Sequence, residues 1–167
     1  KFREEKPKIF WFINLTGLQL MPTILVFLGC LSLFPVAAST SPTISVLDII
    51  GSIIAVIGVL METISDEQLK KFKKSKEKGE LMTKGLWKVS RHPNYFGQII
   101  FWWGLYFFAI SIGGNYWWMI IGPIAITILF LVVSIPMMEE RLAEKYTHFL
   151  DYKKRVSRLV PWFQKKQ

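Results

Sequence analysis

The charges of this chain are confined to three blocks, and that segregation constrains the fold more than any other feature. All 21 Lys and Arg lie in residues 1–8, 62–93 and 139–167, and the acidic residues lie there too, with Asp48 as the exception. The stretches between the blocks are almost chargeless. A helix of about 20 apolar residues crosses a bilayer core, and these stretches are long enough to do so. The pattern excludes an ordinary soluble domain, a disulfide-rich secreted module and a disordered basic tail.

Four membrane spans are predicted, over residues 9–34, 43–61, 93–112 and 115–138. The expected fold class is all-α: a multi-pass transmembrane helical bundle, with cytoplasmic amphipathic helices, in one membrane-embedded domain. The SIGGN link at 111–115 is short enough to make the third and fourth spans a tight antiparallel hairpin. Residues 62–77 are expected to continue the second helix until Gly79. Residues 139–156 place Leu142, Tyr146, Phe149 and Val156 at helical spacing, which predicts an amphipathic extension of the fourth span ended by Pro161. The chain opens KFREEKPK, without Met or a signal-peptide layout, and reads as the C-terminal part of a longer protein.

Segments 1–8, 62–92 and 139–167 carry every basic residue, while 35–42 and 112–114 carry none. The positive-inside bias therefore places both ends and the central loop in the cytoplasm. The net charge of +9 is assigned to this bias and not to nucleic acid. Cys30 lies in an apolar run and reads as a buried small hydrophobe. Trp87, Trp117, Trp118 and Trp162 flank the spans and read as interfacial anchors.

The densest polar constellation is GLWKVSRHPNYFGQ, residues 85–98. Pro93 suits the first turn of a helix, which puts His92 near the N-cap. Asn94 and Gln98 are i,i+4 and share a face, and a polar pair inside a span needs partners or a ligand. Free N–H groups, the helix dipole, Arg91 and His92 make this a candidate phosphate site; the alternative is an interfacial cap with Arg91 reaching headgroups. Glu62 and Asp66 end the second span, with Lys70 and Lys73 on nearly the same face. Glu139 and Glu140 end the fourth. These carboxylates either line a shared cavity with Arg91 or form structural ion pairs such as Arg91 with Glu140. No His or Cys cluster has metal-ligand spacing, and no Rossmann, P-loop or nucleophile-elbow motif is present.

Taken together, E-x-x-x-D at 62–66, G-L-W-x-x-S-R-H-P-N-Y-F-G-Q at 85–98, W-W-G at 102–104, M-E-E-R at 138–141 and R-V-S-R-L-V-P-W at 155–162 carry a resemblance. The chain resembles the bacterial steroid 5-alpha-reductase-like membrane family, and more distantly the C-terminal halves of steroid and sterol reductases. R-H-P-x-Y and E-E also occur in isoprenylcysteine carboxyl methyltransferases, which use S-adenosylmethionine. The resemblance implies a helical bundle holding NADPH on its cytoplasmic side and passing hydride to a C=C bond conjugated to a carbonyl in a lipophilic substrate. Its cofactor-contacting positions fall on Glu62, Asp66, Lys73, Asn94, Tyr95, Gln98, Glu140 and Arg141, and the dinucleotide's phosphates are expected at the candidate site of Arg91 and His92. Gln98 departs from the usual acid. The substrate-activating acid of those enzymes belongs to earlier helices, so no catalytic acid is assigned. A bacterial inner membrane is the expected location. A methyltransferase and a non-enzymatic lipid-binding membrane protein are the alternatives.

Overall fold

A computed structural model describes residues 11–12, 14–40, 43–75 and 80–164. The basic N-terminal segment, the start of the first predicted span, the expected break at Gly79 and the last three residues lie outside these. The described residues form helices and no strands. Three helices are long and apolar enough to cross a membrane: α1 (Leu15–Ala38), α2 (Val46–Lys74) and α4 (Trp117–Lys145). A shorter helix, α3 (Pro93–Ser111), lies between α2 and α4 in sequence, and α5 (Phe149–Arg155) follows α4.

Four spans were expected, and three helices meet that description. The third predicted span is α3, which forms but is less apolar than the others, because Asn94, Gln98 and its Trp and Tyr residues interrupt the aliphatic run. Its position explains this. No residue of α3 is exposed, since α2 packs along its length and α1 and α4 also touch it. A helix sheltered by others needs no continuous apolar outer surface. By contrast α2 exposes Ile49, Ile53, Val56, Ile57, Leu60 and Ile64, an outward face fit for lipid.

The α2–α3 seam is built on small residues. A Cβ at Gly58 would lie 2.7 Å from the Gly97 carbonyl oxygen, and one at Gly51 would lie 2.8 Å from that of Gly104. Only glycine permits that approach, the device by which apolar helices pack when lipid is no less apolar than they are. Polar pairs close the seam at both ends. Ser111 Oγ donates to Asp48 at one end. At the other, Gln98 Nε2 donates to Glu62 Oε1 at 2.8 Å and Asn94 Nδ2 to Asp66 Oδ1 at 3.0 Å. Asp48 also caps α2, accepting from the Ser45 N–H at 2.7 Å while the Ser45 side chain accepts from Leu47 and Asp48. The charge that broke the segregation rule is thus both a cap and a strut.

α2 continues past Met61 as expected but ends at Lys74, where Ser75 turns to extended backbone, short of the predicted residue 77. The link after α3 turns through Gly113 and Gly114 at φ 77° and 76°, conformations that favour glycine. The expected single extension of α4 to residue 156 breaks after Lys145, and Tyr146–His148 turn the chain into α5. This lets Phe149, Tyr152 and Val156 pack against Leu81, Leu142 and Tyr146 as a small separate core. α4 carries a π-helical stretch, Leu129–Ser134, and α1 begins with another, Asn14–Leu20. Cys30 is exposed on the outside of α1, not buried. Trp87 is buried too, its Nε1 donating to the Ser65 carbonyl at 3.1 Å, so it wedges the loop against α2 and is no interfacial anchor.

Candidate functional site

The site forms where the loop before α3 meets the ends of α2 and α4 and the C-terminal segment. Gly85 opens the loop at φ 60°, and Gln68 Oε1 accepts from the Leu86 N–H at 2.9 Å. The far end of the chain stitches the loop down. The Arg91 N–H donates to the Ser157 carbonyl at 2.9 Å, Ser90 Oγ to the Leu159 carbonyl at 2.6 Å, and the Trp162 N–H to the Val89 carbonyl at 3.0 Å. The Tyr152 hydroxyl donates to the Trp87 carbonyl, and burial pushes its pKa up, so it stays a donor.

Arg91 lies at the centre. Its Nε donates to Glu139 Oε1 at 2.8 Å, and its Nη1 donates to the Lys153 and Val156 carbonyls at 2.7 and 2.6 Å. Glu139 is buried and also meets His92 Nε2 at 3.4 Å and Lys153 Nζ at 2.9 Å. The pairing expected between Arg91 and Glu140 is made by Glu139 instead. Ile135, Glu139 and Leu142 share one helical stripe, which turns Glu139 inward and leaves Glu140 and Arg141 exposed. The i,i+4,i+7 spacing from Ile135 was the signal that distinguishes the two glutamates.

A cavity of about 440 Å³ opens beside this cluster. Arg91, His92, Asn94 and Tyr95 form one wall, Phe72, Lys73 and Met82 a second, and Met138, Lys145, Tyr146 and Tyr152 a third. The His92 ring stacks on Tyr95 with centroids 5.5 Å apart and planes within 7°, and Tyr95 leans on Phe130 of α4. Of the residues expected here, Lys73, Arg91, His92, Asn94 and Tyr95 line the cavity. Glu62, Asp66 and Gln98 do not; they hold the α2–α3 seam, with Asp66 reaching the cavity through Asn94. Glu140 lines a second cavity that Arg91 also lines, and Arg141 lines neither. Trp87, Lys145, Tyr146 and Tyr152 were not anticipated, because the break after α4 that brings the last two in was not.

The donors expected to cradle phosphate are largely engaged. Three of the five N–H bonds of Arg91 go to protein acceptors, which leaves Nη2. At the start of α3, the His92 N–H donates to Ser90 Oγ, the Tyr95 N–H to Asn94 Oδ1 and the Phe96 N–H to the His92 carbonyl. Burial explains this: a buried donor without a partner costs about 1–3 kcal/mol. The charged groups on the cavity wall with flexible stems are Lys73 and Lys145, with Glu80 between them in sequence. Among the described residues no group of His, Cys, Asp and Glu could hold a metal ion.

An all-helical membrane protein with an aromatic-walled pocket at one end of its spans is the class this geometry defines. The chain belongs to the family described as Protein of unknown function (DUF1295), which it matches over residues 1–158. No curated protein and no solved structure matches it.

Proposed function

We propose that this protein is a membrane-embedded, NADPH-dependent reductase of the steroid 5-alpha-reductase-like kind, reducing a C=C bond conjugated to a carbonyl in a lipophilic substrate. The observation that carries the reading is the cavity between α2, α3 and α4, which combines aromatic walls with Lys73 and Lys145 and is also lined by Arg91. Tyr146 and Trp87 offer apolar surface to a planar ring, and the two lysines offer compact charges to phosphate oxygens. A nicotinamide dinucleotide supplies the hydride when bound. Arg91 and Glu139 hold the wall in place, and His92 and Tyr95 close it on the α3 side. No residue is assigned as catalytic acid. The orientation that goes with this reading puts the cavity on the cytoplasmic face of a bacterial inner membrane, beside the basic blocks.

The test is cofactor affinity in nanodiscs, with NADPH, NADH and S-adenosylmethionine compared. NADPH is expected to bind most tightly. Lys73→Gln and Lys145→Gln together remove charge-assisted contacts of about 1.5–3 kcal/mol each and should weaken NADPH binding by at least tenfold. These positions serve the test better than Arg91, whose side chain also supports the fold. Binding of S-adenosylmethionine alone would replace the reductase reading with a methyltransferase one. Binding of neither would leave a lipid-binding membrane protein.

A further inference from the structure

The second cavity, lined by both Arg91 and Glu139, has a chemistry of its own. It measures about 600 Å³ and is more open than the first. Its floor is apolar, with Pro136, Ala143, Phe149 and Leu150, and its rim carries Lys153 and Arg158. Three cations (Arg91, Lys153 and Arg158) face two carboxylates (Glu139 and Glu140) across it. Arg91 and Lys153 both pair with Glu139, and the three cations against two carboxylates leave the lining with one net positive charge, with Arg158 the cation not paired to Glu139.

The surroundings are those of a bilayer border. Arg158 Nη2 donates to the Leu131 carbonyl at 2.9 Å, within the π-helical stretch of α4. This draws a guanidinium alongside the apolar part of a membrane-crossing helix. Next to it, Val132, Val133 and Met137 of α4 are exposed. On the C-terminal side Leu150 is 60% exposed and Trp162 69% exposed. A cationic rim above an apolar floor, continuous with an exposed apolar helix face, matches one ligand: a phosphate-bearing headgroup with an acyl chain beneath it.

From this we infer that the groove between α4 and α5 binds an anionic phospholipid, whose headgroup is held by Arg158 and Lys153 and whose acyl chain lies along α4. The inference is independent of what fills the aromatic cavity, and its test involves no nucleotide. A zwitterionic lipid carries its own ammonium into the same positive field and is disfavoured. Each cation near an anionic lipid surface contributes roughly a fivefold preference.

Native mass spectrometry of the detergent-solubilised protein tests this, with phosphatidylglycerol, phosphatidylcholine and free glycerol phosphate offered separately. The wild type is expected to retain phosphatidylglycerol at least fivefold over phosphatidylcholine, to lose that preference at high salt and to retain no glycerol phosphate. Arg158→Gln should bring retention of the two lipids close together, and Arg158→Lys should restore the difference. Equal retention of the two lipids by the wild type, or a preference untouched by salt, overturns the proposal without reference to any variant. Retention of free glycerol phosphate overturns it in favour of a soluble phosphate site.

Discussion

Arg91 and Glu139 meet at 2.8 Å with side chains only 7% and 6% exposed, one from the loop before α3 and the other from α4. Forty-eight residues separate them in sequence. The pair is the joint at which α3, α4 and the C-terminal segment are fastened, because the same guanidinium also serves the Lys153 and Val156 carbonyls. Removing one member of a buried pair strands the other's charge.

Arg91→Ala should therefore destabilise the protein by about 3–5 kcal/mol. Arg91→Lys should recover little of the loss, since an ammonium cannot present Nε and Nη1 to three acceptors in a fixed plane. Unfolding in mixed detergent micelles measures both. A full-stability Arg91→Ala protein would show that the joint carries no load.

Gly97→Ala should weaken the α2–α3 packing. Its Cβ would lie 2.6 Å from the Glu62 backbone nitrogen and 2.7 Å from the Gly58 carbonyl oxygen, neither of which can move alone. Overpacking of this kind costs about 1–3 kcal/mol. Gly17→Ala is the control, since a Cβ there meets nothing within 4 Å.

The Gln98–Glu62 pair should prove structural and modest. A double-mutant cycle with Gln98→Ala and Glu62→Ala is expected to give a coupling of about 0.6 kcal/mol, the usual worth of an interhelical hydrogen bond in a membrane. Nucleotide affinity should change less than for the lysine variants. A tenfold drop in affinity from Gln98→Ala would return Gln98 to the cofactor site.

Tyr152→Phe removes the hydroxyl that serves the Trp87 carbonyl and should cost about 1–2 kcal/mol. The pH dependence has a definite sign. Burial raises the folded pKa of Tyr152 above its unfolded value, so the contribution is complete below the unfolded pKa of about 10 and is lost as pH rises through the folded one. Stability of the wild type should fall more steeply above about pH 10 than that of Tyr152→Phe. Parallel alkaline unfolding curves would contradict this.

Membrane orientation is open to direct labelling. In a Cys30→Ala background, Ser39→Cys and Asn115→Cys should react with an impermeant thiol reagent from outside the cell, and Lys84→Cys only after permeabilisation. Labelling of Lys84→Cys alone in intact cells would invert the topology.

Helix existence was legible because chargeless runs in this chain have no other use, and Pro93 and Gly113–Gly114 marked their ends in plain chemistry. What the pattern did not show was that α3, though its bounds were read closely, packs against α1, α2 and α4 and so tolerates Asn94, Gln98 and several aromatic rings that a lipid-facing span would not. The constellation at residues 85–98 was recognised, but its polar members divide into two sets. Arg91, His92, Asn94 and Tyr95 face the cavity, while Gln98 faces Glu62. An i,i+4 pair shares a face, and nothing in that spacing says whether the face meets a helix or a hollow. The contribution of the C-terminal segment was not legible, because contacts between residues 87–92 and 152–164 depend on the turn at Tyr146–His148, which has no glycine or proline to mark it.

The stitching of Ser90 and Arg91 to Ser157 and Leu159 sets an order of events in biosynthesis. The wall residues 87–95 are synthesised well before the segment 157–162 that pins their loop, whereas Tyr146 and Tyr152 precede it closely. The helices α1 to α3 are therefore made before the site is pinned, and the loop wall of the cavity is fixed only once residues 157–162 have been made. A copy truncated before Ser157 would keep the Arg91–Glu139 pair but lose the carbonyls of Ser157 and Leu159, leaving the loop before α3 loosely held. Synthesis of residues 157–162 is thus the step that fixes the loop before α3, and with it one wall of the cavity, in place.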